Sequence, residues 1–196
     1  MARSAFRFSP LTLDNFADLE TLFGPRGACG GCWCMTWRLP RAAYDAGKGD
    51  GNREALRSLA ASGQPVGVLA YDGIRPAGWI SVAPREQYHY LARTRTLQPP
   101  DDKPVWSATC FFIHKDYRRR GLSNALLDAA EKWVASQGGT ILEGYPSVPR
   151  TAELPPAFAW TGLPVIFERA GFAECPSAGR GRKLMRKALP KPKRLR

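Results

Sequence analysis

The residues best suited to chemistry are Tyr117-Arg118-Arg119-Arg120-Gly121-Leu122-Ser123-Asn124. Arginines offer charge and paired N–H donors to an anionic oxygen group, and a glycine lets the main chain approach one closely. Apolar residues recur at 122, 125, 126, 129, 130, 133 and 134, which is one face of a helix from Leu122 to about Ser136. A helix start has unpaired N–H groups and the positive end of a dipole, so Arg118 to Asn124 predict a phosphate-binding turn. The alternative is a solvated basic turn.

A carboxylate comes next. Glu143 lies amid apolar neighbours in Thr140-Ile141-Leu142-Glu143-Gly144-Tyr145. There it is a candidate general base, or a structural partner of one of the many arginines. Tyr145 lies two residues on, shares that strand face, and is a candidate proton donor. Ser107 and Thr109 also share a strand face, where ordinary packing explains them.

The run Gly31-Cys32-Trp33-Cys34-Met35-Thr36-Trp37 admits three readings. Zinc wants four ligands, and Cys29, Cys32 and Cys34 are crowded, with only His89 and His114 elsewhere, so no metal is expected. An acyl-cysteine would need a base, and no histidine is near in sequence. Trp33, Cys34 and Trp37 as walls of a substrate pocket is the favoured reading.

Several elements must position these groups. Strands are predicted at Phe6–Phe8, Val105–Ile113 and Thr140–Tyr145. A hairpin is predicted from Val66–Tyr71 and Ala77–Ala83 around Asp72-Gly73. Helices are predicted through Phe16–Phe23, capped by Thr12 or Asp14, and over Arg53–Ser62 and Gly162–Ala170. Tyr44–Asn52 and Arg85–Lys103 read as exposed loops, with Tyr88-His89-Tyr90 at a solvated tip or facing the acceptor. Tyr145–Pro156 reads as irregular, and Phe172–Arg186 as a last hairpin around Ser177–Gly181.

At Arg118, Gly121 and Ser123 the chain resembles the GNAT superfamily of N-acetyltransferases. Their motif is Arg or Gln, two residues, Gly, one residue, then Gly or Ala; Ser123 departs from it but is small. Phe167-Glu168-Arg169-Ala170-Gly171-Phe172 resembles the family's last helix running into its Gly-Phe turn, and a Gly-Cys-Trp-Cys-Met run resembles a subset of the family. The resemblance covers roughly residues 64 to 187. It implies a mixed α/β (α+β) fold, with a mostly antiparallel central sheet flanked by helices. It implies acetyl-CoA as co-substrate and direct attack by a primary amine of a small molecule or peptide. Phe112 and Ile113 would then line the pantetheine arm, Arg118 to Asn124 would hold the pyrophosphate, and Phe167 would lie beside the cofactor. Family members often carry a tyrosine at that last position, protonating the leaving thiolate. The phenylalanine leaves that task to Tyr145 or water.

With 196 residues the chain suits residues 1–187 as one domain, with 188–196 as a basic tail. No apolar run reaches the ~20 residues of a membrane helix, and Met1–Arg7 lacks a signal peptide's apolar stretch. Five cysteines, an odd number, suit a reduced, cytoplasmic protein. The net charge of +12 suits a polyanionic cofactor. Two alternatives stay open: a catalytically silent CoA-binding module, and a nucleic-acid binder that uses the basic tail. A homodimer is compatible with all of these.

Overall fold

The computed structural model describes residues 6–149, 159–177 and 181–190. The strands are β1 (Arg7–Pro10), β2 (Gly67–Asp72), β3 (Arg75–Pro84), β4 (Trp106–Ile113), β5 (Ile141–Gly144), β6 (Ala173–Cys175) and β7 (Leu184–Ala188). The helices are α1 (Phe16–Phe23), α2 (Arg41–Ala46), α3 (Asp50–Ala61), α4 (His89–Arg93), α5 (Leu122–Ser136) and α6 (Pro164–Arg169). The seven strands form one sheet in the order β1-β2-β3-β4-β5-β7-β6. Neighbours run antiparallel except β4 and β5.

Alternation along the strands divides the core between two sheet faces. Val68, Ala70, Ile80 and Val82 face α5, whose Leu122, Leu126, Leu127, Ala130 and Val134 are buried against them. Leu69, Tyr71 and Trp79 face the other way, onto Leu19, Leu22 and Phe23 of α1 and onto Trp33 and Met35. Gly78 lets α5 settle closely, since a Cβ there would lie 3.1 Å from methyls of Leu122 and Leu126.

β4 and β5 pair only over Trp106↔Leu142, Ser107↔Glu143 and Ala108↔Gly144. Beyond Ala108 this edge of β4 parts from β5. Phe111 N–H there donates to the Trp160 carbonyl at 2.6 Å.

Two stretches read as loops are more ordered than expected. Tyr44–Asn52 carries the end of α2 and the start of α3, because the buried Asn52 amide donates to the carbonyls of Gly31 (3.1 Å) and Tyr44 (3.2 Å). Arg85–Lys103 contains α4, and Tyr88 is fully buried rather than at a solvated tip. Arg85 holds that segment by donating to the carbonyls of Leu91 and Leu97. Asn15, not Thr12 or Asp14, stands at the N-cap of α1; its side chain makes no bond into the helix and accepts instead from Thr12 N–H. The last hairpin forms from β6 and β7, with its centre at 178–180 outside the described residues. Most of the proline-rich stretch after Val148, and 191–196 of the basic tail, also lie outside them. No helix among the described residues is long and apolar enough to cross a membrane.

Candidate active site

The C-terminal end of β4 runs through a tight turn at Lys115–Tyr117 into Arg118-Arg119-Arg120-Gly121 and then α5. Gly121, at the N-cap of α5, has a left-handed backbone (φ 79°), and so has Arg119 (φ 59°). A Cβ built on Gly121 would meet nothing within 4 Å, so space opens directly above the first turn. Arg118 to Arg120 are exposed. Arg118 Nε donates to the Ile113 carbonyl at 3.2 Å, and the Arg120 guanidinium lies 5.6 Å from the Tyr117 ring centre. Among the described residues none of the three forms an ion pair. Guanidinium groups without an ion pair among the described residues, beside the N–H groups of a helix start, fit a phosphate or pyrophosphate. Leu122 is in the core and Ser123 is half-buried. Asn124 spends its amide on the Ile166 carbonyl (2.9 Å), tying α5 to α6.

The same strand borders a cavity of about 250 Å³. Thr109, Cys110, Phe111 and Phe112 of β4 form one side. Cys29, Cys32, Cys34, Thr36 and Trp37 form another, with Tyr44 and Trp160 completing the wall. The 27–37 segment is shaped by unusual backbone. Trp33 (φ 43°) and Cys34 (φ 56°) are both left-handed, and Gly27 leaves room for the Trp33 indole, whose Nε1 would lie 2.2 Å from a Cβ there. Trp37 stacks on Tyr90 (4.9 Å between centroids) and meets Trp160 edge-on (5.4 Å), while the Arg182 guanidinium lies 5.5 Å from both tryptophan rings.

Cys34 and Trp37 therefore line the cavity. Trp33 does not; it packs against Phe23 in the core. Phe112 lines the cavity and Ile113 lies beyond it, towards the arginine turn. Phe167 is fully buried, edge-on to Phe111 (6.0 Å) and Phe172 (5.2 Å), and a Cβ on Gly144 would strike it at 2.0 Å.

Glu143 has its partners inside the protein. Its side chain is 0% exposed. Oε2 accepts from Arg85 Nη1 (2.8 Å) and Tyr145 O–H (2.6 Å), and Oε1 accepts from Arg186 Nη2 (2.6 Å) and Nε (3.1 Å). Arg186 also binds Asp101 at 2.7 Å. The Tyr145 hydroxyl additionally contacts Ser107 Oγ at 2.8 Å, and Arg85 donates to it at 2.6 Å. Burial, then the negative charge of Glu143, pushes the Tyr145 phenol well above its ordinary range. Neither Glu143 nor Tyr145 borders the cavity, but Trp37 packs edge-on to Tyr145 at 5.5 Å.

Sequence reasoning missed Trp160, Tyr44, Thr109 and Cys110 as cavity walls, and Arg85 and Arg186 as the partners of Glu143. An aromatic beside Thr161-Gly162 was the available signal for Trp160. Nothing local marks which arginines reach Glu143 across 58 and 43 residues.

Several solved structures share the fold. A protein assigned to the GNAT family from Desulfovibrio desulfuricans matches with TM-score 0.56 at 17% identity, over 95% of this chain and 100% of its own. PaiA N-acetyltransferase from Thermoplasma acidophilum, solved in complex with coenzyme A, matches with TM-score 0.55 at 11% identity, over 94% and 99%. YncA from Salmonella typhimurium, solved with its cofactor acetyl-CoA, matches with TM-score 0.53 at 11% identity, over 96% of each chain. Comparison with curated protein sequences gives no significant match. The model of the acetyltransferase (GNAT) family matches residues 33–150, more than half of the 196-residue chain, which includes β4, the arginine turn and α5. The chain therefore belongs to the acetyltransferase (GNAT) family.

Proposed function

We propose that this protein is an acetyl-CoA-dependent N-acetyltransferase, moving an acetyl group to a primary amine of a small molecule or peptide by direct attack. One observation carries this reading. The open anion turn, Arg118 to Gly121, and the cavity walls Thr109 to Phe112 lie on one continuous strand–turn–helix. An extended cofactor can thus be held by phosphate at one end while its reactive end reaches the cavity. PaiA and YncA, whose structures contain CoA and acetyl-CoA, share this fold.

When bound, acetyl-CoA supplies a thioester whose acetyl group passes to the acceptor amine as the CoA thiol leaves. The chain's own groups have separable tasks. Arg118 to Arg120 and the first N–H groups of α5 hold and orient the phosphates. The parted edge of β4 beyond Ala108 is where the pantetheine arm would lie, with the Phe111 N–H of that edge already given to the Trp160 carbonyl. Trp37, Trp160 and Phe112 exclude water from the acceptor.

Glu143 takes a positioning role in this account. Both its oxygens accept from arginines, so it fixes Arg85, Arg186 and Tyr145, and through Tyr145 the Trp37 wall. Tyr145, with its phenol held protonated, belongs to the same frame. The acceptor proton then leaves to water, and the amine must arrive neutral. A lysine-like amine with pKa about 10.4 is mostly charged at neutral pH, so the rate rises steadily with pH for such acceptors.

The test is mass spectrometry of products formed from acetyl-CoA and a panel of primary amines. Amides formed only with active protein are expected. CoA binding with no amide from any amine would favour the silent binding module.

A further inference from the structure

Four of the five cysteines converge on the cavity: Cys29, Cys32, Cys34 and Cys110. Two of them are a pair. Cys34 Sγ lies 3.2 Å from Cys110 Sγ, across 76 residues of sequence, and both are free thiols. A disulfide has an S–S distance of ~2.05 Å, so closure asks for a movement of roughly 1 Å. Cys32 Sγ faces the Gly27 carbonyl instead, at 3.8 Å.

The pairing is imposed by the surrounding structure. Consecutive left-handed residues, Trp33 and Cys34, are strained and persist only where neighbours enforce them. Trp33 is seated on Gly27 and Phe23, and Met35 N–H binds the Cys32 carbonyl at 2.8 Å. Cys110 is fixed independently, by the pairing of β4 with β3 at Ser81. Two unrelated parts of the chain thus bring two sulfurs to 3.2 Å where two sides of the cavity meet.

We propose that Cys34 and Cys110 are a reversible disulfide site, oxidised by low-molecular-weight disulfides small enough to enter the cavity. One thiol, as its thiolate, attacks one sulfur of the small disulfide, RSSR. The first RS⁻ leaves and takes up the displaced proton. The second thiol then attacks the protein sulfur of the mixed disulfide, and its proton departs with the second RS⁻. One protein S–S bond forms, two S–H bonds are lost, and RSSR takes two electrons to become two RSH. The Cys110 contact and burial push the Cys34 thiol well above its ordinary range, against the opposing pull of Trp79 and Arg38. Thiolate is therefore scarce at neutral pH, and the exchange quickens as pH rises.

Closing the bond would tie the segment carrying Trp37 to β4. If the cavity receives the acceptor amine, oxidised protein loses acetyl transfer. That consequence rests on the proposed function; the bond itself does not.

The full-length protein is incubated, folded, with 2-hydroxyethyl disulfide at pH 8.5, trapped in acid, digested without reduction and read by mass spectrometry. The expected result is loss of two hydrogens from the intact protein and a linked pair of peptides containing Cys34 and Cys110, formed faster at pH 9 than at pH 7. Cys34→Ser and Cys110→Ser each abolish that link, with circular dichroism confirming the fold. Linkage of Cys29 to Cys32 in place of the pair, or a stable mixed disulfide on Cys34 with Cys110 still free, would overturn the proposal. Amine-dependent transfer is expected to fall several-fold on oxidation and to return with dithiothreitol. A formed link with unchanged transfer would remove the cavity from the acceptor's path. A formed link in a protein without transfer in either state would overturn the proposed function and leave the disulfide site standing.

Discussion

Glu143 decides how the chemistry is apportioned among residues. A carboxylate saturated by two guanidinium groups and a phenol is expected to matter for stability more than for turnover. Breaking a buried pair leaves charge uncompensated, at about 3–5 kcal/mol. Glu143→Ala should therefore lower the urea midpoint sharply, since Arg85 and Arg186 are each only 12% exposed. Glu143→Gln, which keeps acceptor and shape, should retain turnover per folded molecule within a few-fold. A loss of about 10²-fold in turnover with unchanged stability would instead give Glu143 the role of base. The thiols offer a second test at this scale. Burial pushes the Cys32 thiol up to about 11 from 9.0. The unfolded thiol thus ionises first. Its contribution to stability is whole below pH 9 and is lost as pH rises through 11. Urea titrations from pH 8 to 11 should show this decline, and Cys32→Ala should flatten it.

Among the elements, α5 links packing to ligand binding. Leu126 is fully buried under the helix whose first turn presents the anion site. Leu126→Ala should cost about 2–5 kcal/mol, lowering Tm by roughly 5–15 °C. A shift below 2 °C would mean that α5 is not packed as described. This element was legible in sequence because its period is local: seven apolar positions name one helix face, and Leu122–Ser136 is the helix observed. The β2–β3 hairpin and β4 were legible for the same reason. The Tyr44–Asn52 helices were not, because Asn52 and the Gly31 main chain hold them by contacts across 21 residues. Nor was the joining of the 27–37 segment, β4 and Trp160 into one cavity, although Cys34 and Trp37, read as pocket walls, do line it. Each wall is set by tertiary placement: Trp33 and Cys34 adopt left-handed backbone that no propensity foretells, and Trp160 meets β4 through a main-chain hydrogen bond. The arginine turn was visible because its residues are contiguous.

At the scale of the whole molecule, charge is the dominant feature. The net +12 should draw a polyanionic cofactor and make its affinity fall as salt rises. Calorimetry at two ionic strengths checks this, and a salt-independent affinity would argue against phosphate recognition by Arg118 to Arg120. Double-stranded DNA or RNA retained more tightly than CoA at equal salt would favour the nucleic-acid reading of the same charge.

The central claim is that the arginine–glycine turn holds acetyl-CoA for transfer in the adjoining cavity. Its most direct test is the rate of amine-dependent thiol release from acetyl-CoA, by the natural protein and by Gly121→Asp with its fold confirmed. Aspartate at φ 79° strains the backbone and adds negative charge where phosphate must approach. Release should require an amine and be lost in the variant. Equal rates in the two proteins, or no amine-dependent release by the natural one, would contradict it.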